Sequence, residues 1–440
     1  MLRKDYKCVN ILLFLRPQWL LIGALLIHLG MLVSWRIGFL NSLFFDATVT
    51  HGRRGWDFYA LYQAGHNVLT GHSVYQSDGT QIDMVIPDGT YTPFRYLPVS
   101  AYTVGVLLNL LSPLWAYRAW VAILELLLIL CVALTWHKVK DEKLRIVLCA
   151  MWLCYTPFYL ELYMGQFSFV QATLIWVMLL ATQPGCCFDT AWIVSVLWKQ
   201  NTLLIAPLLV RLKRWKSLIW LITLTLLTAG PYFALVPGSL TAFWGNLRSD
   251  PPWFQFGNLG FRQLVFDTMW SWADTTGLNI SNEVYIWTQR GIVILFVLVP
   301  LLLTLLDRRP EITLHVSLWI TTYFMIYHHV WEHHYVMLLP VLVALTWRFR
   351  SPWLWPIYLL LALPTPYALI DPHRQVAVLD AMRWTPIRPL WQDLLYHAAK
   401  AVPALWLYGW LCVRLTRPIW NDWRAGRRWV WPFSELEKRA

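Results

Sequence analysis

The sequence predicts an all-α polytopic membrane protein, and three observations carry that expectation. Hydrophobic residues make up 58% of the 440 and charged residues only 14%, where a soluble domain carries about 25% charge. Apolar runs recur along the chain, and short clusters of Lys and Arg separate them instead of forming one basic face. Thirty tryptophans are present, and many flank the apolar runs as an interfacial aromatic belt does. The formal net charge of +12 therefore reads as cytoplasmic loops rather than a nucleic-acid surface, and no nucleic-acid partner is expected.

The first apolar run, residues 17–35, follows Arg3, Lys4, Lys7 and Arg16. It lacks a convincing small-residue cleavage site, so it reads as a retained first span with its N-terminal flank in the cytoplasm. Residues 37–96 are then exterior. Within them Phe58, Leu61, Tyr62, Gly65, Val68 and Leu69 recur at helical spacing, which predicts a helix lying at the membrane surface. Asp57 stands at its N-terminal end, and Gly71 stands where a left-handed terminating residue belongs.

Two apolar runs follow, 97–111 and 114–136. Counting both as spans would put Lys138, Lys140, Lys143 and Arg145 outside, against the charge rule. The first is also short for a hydrocarbon core of roughly 30 Å and contains Pro98. It reads as a re-entrant part of the exterior loop. Spans are then expected at 114–136, 146–160 and 167–181, with 161–166 an exterior turn. Residues 190–210 raise the same parity problem. Two half-length helices meeting near Lys199, Gln200 and Asn201 solve it, an arrangement tolerated only where it is buried or lines a cavity. Further spans are expected at 217–236, 286–306, 312–326, 335–347, 353–370 and 398–415.

The result is about twelve membrane segments in one domain over residues 1–416. Exterior loops fall at about 37–96, 237–285 and 371–397. A basic cytoplasmic tail, 417–440, faces anionic lipid. The seven cysteines fall in spans or on the cytoplasmic side and predict no disulfide framework. Cys186 and Cys187 are adjacent and lack zinc-ligand spacing.

Polar residues converge on the exterior side: Asp57, Glu161, Gln166, Lys199, and His328, His329, Glu332, His333 and His334. One acid with several cations at a membrane surface suits group transfer from an anionic lipid. The acid takes a proton from an attacking sugar hydroxyl. Lys199, Arg95 or a histidine neutralises the leaving phosphate. Trp56, Tyr59, Tyr62 and Tyr96 offer faces for a sugar. Plainer roles stand beside these. Asp57 is also a preferred capping residue, and Lys199 can snorkel to the interface. His328 and His329 read as structural, while Glu161 and Gln166 can cap span ends. Adjacent His333 and His334 point apart on a helix and make a poor metal pair. Glu125 lies inside a span with no role assigned.

The ordered set of pieces resembles glycosyltransferase family 87, transferases that use polyprenyl-phosphate sugars and have the GT-C fold. The matching pieces are Asp57-Phe58-Tyr59 with Ala64, Leu69-Thr70-Gly71-His72-Ser73-Val74-Tyr75, Tyr96-Leu97-Pro98, Gly165-Gln166, Lys199, and Trp331-Glu332-His333-His334-Tyr335. They run in family order from about residue 50 to 340; the last hundred residues match little. Arg95 intervenes where the family often has Tyr-Pro-Pro, and Trp198-Lys199-Gln200 replaces a more usual Leu-Lys-Pro.

The resemblance implies a hexosyltransferase acting on the extracytoplasmic face of a bacterial cytoplasmic membrane. Its donor would be a polyprenyl-phosphate sugar such as the mannose form, and its acceptor a lipid or glycan. It implies inversion at the anomeric carbon with Asp57 as the catalytic base. Lys199, Arg95, His333 and His334 are then expected at the donor phosphate, and Tyr62, Tyr96, Gln166 and Glu332 at the substrates. No second acid adjoins Asp57 as an Asp-x-Asp pair. Chemistry without a metal or other cofactor is therefore expected, with a divalent ion left as an open alternative. A transporter or flippase of lipid-linked sugars is the alternative from another class, since broken helices and buried cations occur there too.

Overall fold

Lipid offers a backbone N–H or C=O no water to bond, so each apolar run must close its hydrogen bonds within itself. In the computed structural model every regular element among the described residues is accordingly helical. The structure describes residues 17–44, 54–75, 93–181, 185–248, 257–365 and 390–426. In chain order the helices are α1 Pro17–Ile37, α2 Trp56–Thr70, α3 Pro98–Leu108, α4 Pro113–Lys138, α5 Glu142–Leu153, α6 Pro157–Met164, α7 Ser168–Leu180 and α8 Cys186–Trp198. There follow α9 Ala206–Arg211, α10 Trp215–Leu235, α11 Ser239–Arg248, α12 Phe261–Thr276, α13 Asn282–Leu306, α14 Ile312–Ile326, α15 Leu338–Phe349, α16 Leu354–Ala362 and α17 Leu390–Arg424.

Among the described residues four helices, α1, α4, α10 and α13, are long and apolar enough to cross a membrane, or five if α5 and α6 count as one bent span. That is fewer than the twelve segments expected. The difference has a physical pattern. The long helices turn apolar side chains outward, such as Leu25, Leu26 and Leu29 on α1 and Ile219, Ile222 and Leu226 on α10. The shorter α14 and α15 are buried almost throughout. The short α14 and α15 sit where protein surrounds them, whereas α1 and α10 turn apolar faces outward.

Several boundaries move. Residues 142–164 form two helices meeting at 43° instead of a span and an exterior turn. The break lies at Cys154 (φ −98°, ψ 9°), and Pro157 opens the second helix, where its missing N–H costs no hydrogen bond. Glu161 therefore lies within a helix. Of the predicted 353–370 span, α16 covers Leu354–Ala362, and residues 366–370 lie outside the described residues. In contrast α17, 35 residues long, runs beyond 398–415 at both ends, so the expected tail boundary at 417 falls inside a helix. The N-terminal basic cluster, the exterior stretch 371–389 and residues 427–440 lie outside the described residues.

The basic loops gather at one end of the bundle. Arg350 Nη2 lies 3.1 Å from Asp141 Oδ2 and Arg348 Nη1 3.7 Å from Glu311 Oε1. Arg211 donates to the Asp307 carbonyl at 2.8 Å. From this end α14 climbs to the turn at residues 327–331, and α15 descends to Arg348. Fifteen helical residues span about 22 Å, so that turn lies at the opposite end. Midway along α4, Glu125, unassigned from sequence, has its Oε2 2.9 Å from His28 Nε2 and ties α4 to α1.

Helix α2 crosses α3 at two glycines. A Cβ on Gly65 would stand 2.2 Å from the Gly105 carbonyl carbon. The backbones therefore touch, and α2 is pinned against the short segment that follows the first loop. A π turn at Ala101–Gly105 interrupts α3 at this contact.

Candidate active site

Asp57 sits in the first turn of α2, but it does not cap the helix. The N-cap is Gly55, left-handed at φ 75° and without a side-chain cap. Gly165, also left-handed at φ 62°, ends α6 and lets the chain reverse into α7. No larger residue fits there: a Cβ would lie 2.5 Å from Phe58 Cβ. The reversal aims Gln166 at α2.

Gln166 Nε2 donates to Asp57 Oδ2 at 2.9 Å, and Gln166 Oε1 accepts from Phe167 N at 3.0 Å. Two residues on, Ser168 Oγ accepts from Lys199 Nζ at 2.8 Å. Lys199 itself is the extended residue (φ −150°) between α8 and the 3-10 helix Gln200–Ile205. Its backbone is held as well, for Gln171 Nε2 donates to its carbonyl at 2.6 Å. Its ammonium lies 5.9 Å from the Tyr96 ring centre, within cation–π range. Behind this turn, Glu161 Oε1 accepts from Phe169 N at 2.6 Å, which is the capping role read from sequence.

These groups open onto one cavity of about 980 Å³. Asp57, Arg95, Tyr96, Gln166, Lys199, His333 and His334 all line it. The first loop supplies Arg95 and Tyr96. It is fastened by Asn246 of α11, whose Nδ2 donates to the Tyr75 and Phe94 carbonyls at 3.2 and 3.0 Å. The turn after α14 supplies the histidines. His333 has neither ring nitrogen hydrogen-bonded among the described residues, whereas His334 Nδ1 accepts from Trp331 N at 3.0 Å. Burial, then nearby Lys199 and His329, push His333 well below the usual imidazole range. His334 shifts the same way, through burial and then His333. Both are neutral at pH 7. Burial, and next the Asp57 charge, hold the Tyr96 hydroxyl well above its ordinary value, so it stays protonated.

Two expected site residues stand elsewhere. The Tyr62 hydroxyl donates to the Leu111 carbonyl at 2.9 Å and joins α2 to the chain after α3. Glu332 faces away from its histidine neighbours and lies 3.3 Å from Lys400. Others were missed or read as structural. His329, Gln200, Asn201, Tyr327 and Trp331 line the cavity. The Gln200-Asn201 pair beside Lys199 was an available signal: two amides inside an apolar stretch need polar company.

One wall is apolar, made by Leu203, Leu221, Ile222, Thr225 and Leu226 with Phe243, Trp244 and Leu247. Leu203, Ile222, Leu226 and Trp244 are highly exposed, so this apolar wall is open rather than packed. Among the described residues no three His, Cys, Asp or Glu side chains gather to hold a metal ion. The chain matches no protein-family model and no curated protein sequence.

Proposed function

We propose that the chain is a membrane glycosyltransferase with the GT-C fold and about twelve membrane segments. It moves a hexose, mannose by resemblance to family 87, from a polyprenyl-phosphate donor to a lipid or glycan acceptor. The reaction runs on the extracytoplasmic face of a bacterial cytoplasmic membrane. The observation that carries the reading is that Asp57 and Lys199 line one cavity, each held by a residue of the same short turn, Gln166 and Ser168.

Asp57 accepts the proton of the acceptor hydroxyl as its oxygen bonds to the anomeric carbon. The bond from that carbon to the phosphate oxygen breaks, and its electron pair leaves with the lipid phosphate. A β-linked donor then gives an α-linked product. The phosphate passes from a diester with one negative charge toward a monoester with two. Lys199 and Arg95 stabilise the charge that develops, and neutral His333 and His334 offer N–H donors without repelling those cations. The open apolar wall suits a polyprenyl chain, whose tail stays in lipid while its phosphate meets Lys199. The basic loops at the opposite end support an exterior site, because such loops are retained in the cytoplasm.

The test incubates purified protein in lipid with a panel of polyprenyl-phosphate sugars and extracted envelope lipids, read by mass spectrometry. The expected outcome is a new glycolipid from wild type and none from Asp57→Asn. Movement of the donor across a bilayer without a new glycoside would make the chain a transporter instead.

A further inference from the structure

The last helix carries one buried charge pair and one buried His–Asp contact that the chemistry above leaves unused. Lys400 and Glu332 have side chains only 1% and 4% exposed, with Nζ and Oε1 3.3 Å apart. Lys400 Nζ also donates to the Leu361 carbonyl at 2.8 Å and to the Leu363 carbonyl. Glu332 Oε1 accepts in addition from Thr365 N at 2.9 Å. Three residues earlier in α17, His397 Nδ1 lies 2.8 Å from Asp267 Oδ2, both side chains fully buried.

Both contacts lead to the same place. Asp267 Oδ1 accepts from Gln263 at 2.8 Å, and Gln263 Oε1 accepts from Asn258 at 3.4 Å. Asn258 Nδ2 donates to the His328 carbonyl at 2.6 Å, and its Oδ1 accepts from Val330 N at 2.9 Å. The turn bearing the cavity histidines is thus gripped at 328–330 through α12 and at Glu332 directly, and α17 stands behind both grips.

Holding α17 in place does not require charge. A buried ion pair loses much of its attraction to desolvation, and apolar side chains of similar size often stabilise as well or better. What the pair adds is direction, because a carboxylate bonded to an ammonium and an amide N–H has one place to be. Glu332 is the residue immediately before His333. We propose that Lys400 is a positioning residue: through Glu332 it fixes His333 and His334 in the cavity wall. Only its consequence for turnover rests on the glycosyl-transfer reading.

The experiment labels folded wild-type protein and Lys400→Arg and Lys400→Met variants in detergent with diethyl pyrocarbonate, which acylates neutral imidazoles. Mass spectrometry follows each histidine. Losing the clamp favours local opening, so labelling at His333 and His334 rises about fivefold in Lys400→Met. It stays close to wild type in Lys400→Arg, while His72 and the remote buried His315 keep their rates. Unchanged labelling at His333 and His334 in Lys400→Met overturns the proposal, as does an equal rise at His315, which marks general loosening. Should Lys400→Met not fold, the Glu332→Gln/Lys400→Met double variant, with no buried charge left unpaired, takes its place under the same outcomes. In the transfer assay Lys400→Met raises the donor KM and leaves the acceptor KM alone. A silent wild-type assay with labelling as expected removes the proposed chemistry and keeps the positioning role.

Discussion

Gln166 holds Asp57 through a side chain that is itself held at both ends: Nε2 gives to the Asp57 carboxylate and Oε1 takes from Phe167 N. An amide anchored in this way has one orientation, and it passes that orientation to its partner. The carboxylate is therefore aimed before any substrate arrives, which is where positioned bases gain most of their effect.

Replacing the base and replacing its holder should have different signatures. Asp57→Asn keeps the shape but cannot take a proton, so transfer should fall by about 100-fold or more with donor binding retained. Gln166→Ala leaves the base in place but loosened, and a loss of roughly tenfold is expected. Rates of glycolipid formation alongside donor binding to each variant check both. Near-normal turnover in Asp57→Asn would remove the carboxylate from the reaction.

Lys199 faces the charge that grows on the leaving phosphate. Lys199→Met should lower kcat by about 100-fold or more and weaken binding of free polyprenyl phosphate. Lys199→Arg should recover part of both, because charge is kept while the fit to Ser168 changes. Equal kcat in Lys199→Met and wild type would leave the lysine a structural group only.

Much of this arrangement was legible in the sequence, for local reasons. Helical spacing from Phe58 to Leu69, closed by Gly71, marked α2, and the helix found is Trp56–Thr70 with Gly71 left-handed at its end. A lysine inside an apolar stretch of the wrong parity marked the break at Lys199. The span expected at 312–326 coincides with α14, because charged residues bound it on one side and a polar turn on the other. What could not be read depends on partners far away in the chain. Glu332 looks like a site residue beside two histidines, and only the approach of Lys400 turns it aside. Tyr62 lies on the expected face of α2, yet the carbonyl that receives its hydroxyl belongs to Leu111. Helix length is legible only in part for a related reason: a helix surrounded by protein, such as α14 or α15, need not match the bilayer.

The cavity histidines should make stability sensitive to acid. Burial holds His333 and His334 below the usual imidazole range, so the unfolded chain takes up protons first as pH falls. Stability is complete above the unfolded value of about 6.5 and declines as pH drops below it, toward the lower folded value. Thermal unfolding of the detergent-purified protein between pH 8 and pH 5 measures the decline. His333→Gln should flatten it, since that side chain no longer titrates. An identical pH slope in the variant would show that His333 is as readily protonated in the folded state as in the unfolded one.

Gly65→Ala tests the crossing that pins α2. In an open helix the change would stabilise by up to about 1 kcal/mol, because alanine favours the helical backbone. Here the new methyl would stand 2.2 Å from the Gly105 carbonyl carbon and 2.3 Å from its oxygen. Those are backbone atoms with no rotamer to retreat into, so α2 and α3 must separate. Overpacking of this kind costs about 1–3 kcal/mol, and it outweighs the gain in propensity. The melting temperature should fall, and transfer should fall with it, since moving α2 carries Asp57 away from Gln166. Gly23→Ala is the matched control: it lies within α1 with nothing inside 4 Å of the added methyl, and it should be neutral or stabilising. A Gly65→Ala protein as stable as the Gly23→Ala control would mean that the two helices do not meet backbone to backbone.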